Sequence, residues 1–294
     1  MYWSSIPEFS NKTIQKMQDL IAKHKKDSRL NSLFVNPILK EDVFDILDQF
    51  CTVIYFPLEN EENDGFNISL PVSYNKSQRE NFVFINTEKH LDKQVFAAGH
   101  ELGHIWKVAD CIWDNSEDEP LPRTAENEEA AMNRFAAELL MPKGVFRRIA
   151  EEQFSNYLDS QKGVKWTDAV RVIANLMNEF CVPKQAVIRR LYEVRYAKEE
   201  VCSELWMGPA HIPTEEYQEM LKQTLRVYIE QGGYTRLTNR TKKKWIKGFP
   251  ELLEKLKDSD SYSKEKVDFL KDEFDLKQDI PEGTPEISIN LGND

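Results

Sequence analysis

The sequence contains little cysteine, and the cysteines that it has are isolated. Cys51, Cys111, Cys181 and Cys202 lie far apart, and no two of them form a Cys-x-x-Cys pair. This spacing argues against a zinc knuckle and against a dithiol redox motif. We therefore expect four free thiols that behave as small, mostly buried apolar side chains.

The chain also lacks a long apolar run and an excess of positive charge. No apolar stretch approaches the roughly 20 residues that cross a bilayer, and the amino terminus does not resemble a signal peptide. The formal net charge is -11, from 50 acidic and 39 basic residues. The missing apolar span and signal peptide lead us to expect a cytoplasmic protein with no membrane partner. Because the acidic surface repels phosphate backbones, a nucleic-acid partner is disfavoured.

The composition and the residue patterns are those of a globular α+β protein. The chain has 294 residues, of which 40% are hydrophobic, enough to bury a sizeable core. Residues 51–85 contain three β-branched and aromatic stretches separated by polar turns, which predict a small antiparallel sheet. Apolar residues at helical spacing predict further helices over 93–106, 124–141, 166–180 and 184–196.

The strongest motif is the H-E-x-x-H sequence His100-Glu101-Leu102-Gly103-His104, which lies inside a predicted helix. Residues four apart on a helix share a face, with Cβ atoms about 5 to 6 Å apart, so His100 and His104 can bind one metal ion. Glu101 lies beside that face and can act as general base on a metal-activated water without being a ligand. The motif therefore predicts a hydrolytic Zn2+ site.

A hydrolytic zinc site needs a third protein ligand and one open position. Glu126, Glu128 and Glu129 lie 22 to 25 residues after His104, on the next predicted helix. We favour Glu129, because Asn133 shares its helix face and can orient a ligand by hydrogen bonding. Glu128 and Glu126 remain the alternatives.

Two segments resemble the ImmA/IrrE metallopeptidases: FINTEKHLDKQVFAAGHELGHIW, residues 84–106, and EEAAMNRFAAELLMP, residues 128–142. In that family a strand ending in Ile-Asn precedes the HELGH helix, and a helix of the form E-x-x-A-N-x-F-A-A-x-L-L-M-P brings the third zinc ligand. By this resemblance Glu129 is that ligand. Met132 stands where the family usually has alanine.

The resemblance extends over roughly residues 38–196, because FCVPKQAVIRRLYEV, residues 180–194, is similar to the helix-turn-helix-like segment of the family. It implies a zincin-like fold. Together with the change to a charged, helical pattern after about residue 204 and the Pro/Gly-containing end of the chain, the sequence predicts four parts. These are an N-terminal helical arm (1–37), a peptidase domain (38–200) with the helix-turn-helix-like segment at 166–196, a helical C-terminal region (201–275) and a disordered tail (276–294).

The resemblance further implies a zinc-dependent endopeptidase that acts inside the cell on a protein substrate, often a helix-turn-helix repressor of a mobile element or a stress response. Two alternatives stay open. One is a non-catalytic, zinc-containing regulatory or DNA-binding protein that reads DNA through Arg189, Arg190 and Arg195. The other is a protease toxin that acts on a different host target.

A lone histidine or a tyrosine can stabilise the oxyanion by donating a hydrogen bond. The candidates are His24, His90, His211, Tyr55 and Tyr74.

Overall fold

The computed structural model describes residues 6–59, 63–72, 75–114, 119–158, 163–257 and 263–274. The chain divides into two compact units, Met1–Lys243 and Lys244–Asp294. The predicted disordered tail at 276–294 lies outside the described residues. The boundaries predicted at residues 38 and 201 stay a prediction.

The first unit combines helices with a small sheet, which confirms the predicted α+β fold. Its elements are α1 (Asn11–Lys25), α2 (Asp42–Leu47), β1 (Thr52–Phe56), β2 (Gly65–Val72), β3 (Asn75–Asn86), α3 (Leu91–Ile105), α4 (Val108–Trp113), α5 (Ala125–Leu140), α6 (Lys143–Ser155), α7 (Trp166–Phe180), α8 (Lys184–Glu193), α9 (Glu199–Met207), α10 (Thr214–Gly232) and a 3-10 turn (Thr235–Leu237). Over the described part of the chain, no helix is long and apolar enough to span a membrane.

The described part of the second unit is small and mostly helical. It contains β4 (Trp245–Ile246), α11 (Phe249–Lys257) and α12 (Lys264–Glu273). The rings of Phe249 and Phe274 lie 4.7 Å apart, and Lys271 donates a 2.6 Å hydrogen bond to Glu254. These contacts join its two helices.

The sheet of the first unit is mixed, so the prediction of an antiparallel sheet was wrong for one strand. β2 pairs antiparallel with β3, whereas β1 pairs parallel with β3, with Val53 opposite Val83. Alternation of residues within each stretch does not specify which strands pair or in which direction. Because β2 and β3 form a hairpin and β1 takes the other side of β3, β1 runs in the same direction as β3. This order places β2 at an edge of the sheet.

One face of the sheet packs against α3. Val83 and Ile85 on β3 are buried and alternate with the half-buried Phe82 and Phe84, the period of two that a strand with one covered face requires. On α3 the apolar side chains of Val95, Ala98 and Leu102 are buried. Burial of this helix against the sheet fixes the position of the H-E-x-x-H motif that it carries.

Two glycines allow α3 to approach α5 closely. A Cβ atom at Gly103 would lie 2.8 Å from Sδ of Met132, and one at Gly99 would lie 3.1 Å from Cδ1 of Leu140. Any larger side chain at these positions would push the two helices apart or force their side chains to move. The close contact brings the metal-binding motif of α3 next to Glu129 on α5.

A buried ion pair joins the C-terminal half of α5 to α8. Arg190 is fully buried and donates hydrogen bonds of 2.7 and 2.8 Å to the two carboxylate oxygens of Glu138. Its Nε also donates to the carbonyl of Met141, at 2.9 Å. The charged groups compensate one another, which burial requires.

The connection between β3 and α3 is held by residues 239–243, near the end of the first unit. The backbone N–H of Leu91 donates to the carbonyl of Asn239, and the N–H of Lys242 donates to the carbonyl of Thr87, both at 3.0 Å. The hydroxyl of Thr87 donates to the carbonyl of Lys243 at 2.8 Å. The start of α3 is thus fixed by a segment about 150 residues later in the chain.

Candidate metal centre

The two histidines of the motif lie one helical turn apart on α3, with ring centroids separated by 5.2 Å. Their side chains are 14% and 24% exposed for His100 and His104, so both are largely shielded but accessible from one side. This is the arrangement that the spacing of four predicts.

Glu129 on α5 completes a group of three potential ligands. Its carboxylate oxygens lie 3.1 Å from Nε2 of His100 and 3.5 Å from Nε2 of His104. One ligand atom from each of the three residues lies within 4.8 Å of the other two. Two imidazoles and a carboxylate are the donor set of one class of catalytic zinc sites, so these residues fit the ion.

The two alternative glutamates lie elsewhere. Glu128 binds Nε of Arg123, whose other nitrogens contact Asp110 and Asp114, each at 2.9 Å. Glu126 is exposed in the first turn of α5. Among the described residues, therefore, Glu129 alone of the three glutamates joins the histidines.

Asn133 orients one of the histidines. Its Oδ1 lies 2.9 Å from Nδ1 of His100, one turn along α5 from Glu129. Because an amide oxygen only accepts, Nδ1 of His100 carries a proton, and Nε2, the ring nitrogen that faces Glu129, is the one that can bind a metal ion. This contact is the one that the shared helix face of Glu129 and Asn133 predicts.

The charges at the site favour a cation at this position. Burial lowers the pKa of His100, but the hydrogen bond that its ring donates to the Glu129 carboxylate and the negative charge of Glu101 outweigh burial, and the net shift of that pKa is upward. Burial and the neighbouring His100 lower the pKa of His104. The hydrogen bond with His100 lowers the pKa of Glu129, which keeps its carboxylate ionised.

Glu101 is buried and has a partner that the sequence did not reveal. Its side chain lies on α3 beside the histidines, and its Oε2 accepts a 2.7 Å hydrogen bond from Nδ2 of Asn67 on β2. Asn67 is 34 residues earlier in the sequence, and no local motif marks it. Only the pairing of β2 at the sheet edge beside α3 brings the two together.

A cavity of about 490 Å³ opens onto these groups. β2 with its preceding loop, α3 and α5 form its walls, through Asn63, Asp64, Gly65, Phe66, Asn67, Phe96, Ala97, His100, Glu101, His104, Glu129 and Asn133. The wall of this cavity therefore combines apolar side chains with the three predicted metal ligands and the predicted general base, Glu101.

The four described candidates for oxyanion stabilisation do not line this cavity. The ring of Tyr55 is buried against Phe44, and His24 stacks on Trp106 with ring centroids 3.8 Å apart. His90 pairs through its backbone with residue 240, and His211 is exposed. Tyr74 lies outside the described residues.

Residues 48–192 match the family model Peptidase_M78, described as the IrrE N-terminal-like domain. Over this region, just under half of its length, the chain is similar to that domain. The match confirms the resemblance to the ImmA/IrrE proteins and supports a metallopeptidase activity. No curated protein and no solved structure matches the chain.

The Peptidase_M78 domain includes all four predicted site residues and Asn67, but it does not include every element that surrounds the site. α1 precedes the domain, and α9, α10 and the segment 239–243 follow it. Elements outside the matched region therefore also surround the site, and one of them, the segment 239–243, holds the start of α3.

Proposed function

We propose that this protein is a zinc-dependent endopeptidase in which His100, His104 and Glu129 bind Zn2+. The observation that supports this most directly is the convergence of three ligand atoms within 4.8 Å of one another, from two histidines and a carboxylate. That set leaves a coordination position for water or substrate, as hydrolytic zinc sites require.

Glu101 is the general base in this proposal. A bound zinc ion supplies Lewis-acid chemistry, since it polarises the peptide carbonyl and lowers the pKa of water to about 7. The carboxylate of Glu101 takes a proton from the water that attacks the carbonyl carbon and delivers it to the leaving amine as the C–N bond breaks. Asn67 holds that carboxylate in a fixed orientation through Nδ2.

The cavity suits an extended polypeptide. β2 lies at the edge of the sheet and contributes Gly65, Phe66 and Asn67 to the cavity wall. An extended peptide can add to such an edge through main-chain hydrogen bonds, which places a peptide carbonyl beside the metal ligands. This feature favours a protein substrate.

The family resemblance directs the proposal to one class of protein substrate, a helix-turn-helix transcriptional repressor that is a separate polypeptide. The DNA-binding alternative has less support from the arginines of the helix-turn-helix-like segment. Arg190 is fully buried on Glu138, and Arg189 is 12% exposed and contacts Glu193. Of the three arginines considered, only Arg195 is exposed.

The test combines metal content with cleavage. We expect near-stoichiometric zinc in the purified full chain, loss of most zinc in Glu129→Ala, and a discrete product when the wild type is incubated with the repressor encoded nearest its gene. Glu101→Gln should keep its zinc and yield no product, since it removes the base and leaves the ligands.

The other outcomes separate the alternatives. A Glu101→Gln protein that still cleaves would show that Glu101 is not the base. Zinc without cleavage of the repressor, but with Glu101-dependent cleavage of another host protein, would indicate the toxin alternative. A wild-type protein that binds no zinc would favour the regulatory protein without catalytic activity.

A further inference from the structure

A second cavity, of about 610 Å³, lies where α8, α9 and α10 meet. It shares no lining residue with the cavity at the metal centre. Its walls are formed by Lys184, Gln185, Ile188, Trp206, Met207, Thr214, Gln218 and Leu221. Five of these residues, from Trp206 onward, follow the matched Peptidase_M78 region, so the cavity depends on elements that lie outside that region.

Most of the wall is apolar. Ile188 and Leu221 are buried, and the side chains of Trp206 and Met207 are half-buried. A few polar groups, among them Lys184 and Gln218, stand within this apolar surface. Sites for small molecules have this composition and volumes of about 300 to 1,000 Å³.

The ammonium group of Lys184 is held in a fixed position. Nζ donates a 3.1 Å hydrogen bond to Oε1 of Gln218, and Nε2 of the same amide donates to the carbonyl of Trp206 at 2.5 Å. Since both ends of the Gln218 amide are engaged, its oxygen is directed at the lysine. The remaining two N–H donors of Lys184 are available to a ligand.

The environment of this ammonium group lacks a matching negative charge. In the part of the chain that the structure describes, Lys184 forms no ion pair, and Lys222 adds a second positive charge nearby. Burial is the main cause that lowers the pKa of Lys184. A half-buried cation without a carboxylate is unfavourable, and a ligand carboxylate would offset that cost.

We propose that this cavity binds a small organic acid, whose carboxylate pairs with Lys184 and whose apolar body lies against Ile188, Trp206 and Leu221. The chain as a whole has a net charge of -11, so this is a locally positive site on an acidic protein. α8 begins at Lys184 and has no acidic residue in its first turn, which also favours an anion here. The proposal does not depend on the zinc chemistry.

Calorimetric titration of the full chain with octanoate tests the proposal. We expect saturable binding to the wild type, and binding weaker by about tenfold or more in Lys184→Met, because that change removes a charge-assisted hydrogen bond and keeps the side-chain length. Lys184→Arg keeps the charge and should retain more affinity than Lys184→Met. Lys143→Met removes a charge from an exposed side chain that does not line this cavity and should change the affinity by less than about twofold.

Two further ligands determine which feature is recognised. Octan-1-ol has the same apolar body without the carboxylate, so its binding should be weaker and insensitive to Lys184→Met. A tetrapeptide ending in leucine, with a free or an amidated carboxyl terminus, distinguishes a small acid from the end of a polypeptide. The proposal would be overturned if octanoate showed no saturable binding, or if it bound the wild type and a folded Lys184→Met protein with equal affinity. It would also be overturned if the peptide bound in a Lys184-dependent way and octanoate did not.

Discussion

Asn67 on β2 donates a 2.7 Å hydrogen bond to Glu101 on α3. This contact joins the edge strand of the sheet, where an extended peptide can pair, to the carboxylate that we propose as general base. A peptide that pairs with β2 would thus lie beside the group that fixes the base. The contact gives the edge strand a role in orienting Glu101 as well as in binding.

We expect Asn67→Ala to lower kcat by about tenfold to a hundredfold, the range for loss of a hydrogen bond to a charged group in the transition state. Zinc content should stay at the wild-type value, because Asn67 is not a ligand. Steady-state cleavage of the substrate used with the wild type, together with metal analysis, measures both. Asn63→Ala is the matched control, since Asn63 lines the same cavity and its side chain makes no described bond to Glu101. Wild-type kcat in Asn67→Ala would contradict the role of this contact.

The site residues whose shared helix face follows from their spacing in the sequence were predictable. His100 and His104 share a helix face because they are four apart, and Glu129 shares one with Asn133 for the same reason. The structure brings these four side chains together, with Asn133 against His100 and Glu129 against both histidines. Because helical periodicity depends only on residues near one another in the sequence, it can be recognised before the fold is known.

The features that depend on long-range pairing were not predictable in this way. β1 pairs with β3 rather than with β2, and Asn67 reaches Glu101 only because β2 takes the edge position. The hydrogen bond from Leu91 to Asn239 joins residues that no common motif connects. Strand order and such backbone contacts follow from the packing of the whole unit, which alternation along one strand does not specify.

Asn133→Ala should weaken zinc binding by about 10- to 100-fold, the usual effect of removing a residue that orients a metal-binding histidine. The ring of His100 loses the acceptor at Nδ1 that fixes its orientation and tautomer. Competition with a chromophoric chelator at fixed pH measures the affinity. Asn127→Ala serves as control, because the amide of Asn127 bonds the carbonyl of Pro122 at the start of α5. Equal affinity of Asn133→Ala and the wild type would exclude this orienting role.

Gly103→Ala should destabilise the protein by about 1 to 3 kcal/mol, because the new methyl group meets Sδ of the buried Met132 at 2.8 Å. Met132→Ala should also destabilise, since it leaves a cavity, but it creates room for the methyl group. The two changes together should therefore cost less than the sum of the single changes. Urea denaturation measures this coupling in the wild type, the two single variants and the double variant. Strict additivity would show that the new methyl group does not clash with the side chain of Met132.

The pair of Glu138 and Arg190 should make the free energy of unfolding depend on pH in acid. Burial alone would raise the pKa of Glu138, but the hydrogen bonds and charge of Arg190 outweigh burial and hold that pKa at about 2, below the ordinary value of 4.5. Because the pKa is depressed in the folded state, the stabilisation is fully present above pH 4.5 and is lost as the pH falls toward about 2.

Glu138→Gln removes this ionisation and leaves Arg190 with Glu193 as its remaining carboxylate partner, at 3.2 Å. We expect a loss of about 3 kcal/mol at neutral pH, near the lower end for breaking a buried ion pair, because Glu193 still compensates part of the charge. The difference between the variant and the wild type should shrink as the pH falls from 4.5 toward 2, since protonation removes the same charge from the wild type. Urea denaturation over that pH range measures the difference.

Glu151→Gln, in an exposed pair with Arg147, should change stability by less than about 0.5 kcal/mol at any of these pH values. A difference between Glu138→Gln and the wild type that stays constant from neutral pH to pH 2 would mean that the lost stability comes from packing around the side chain and not from its charge.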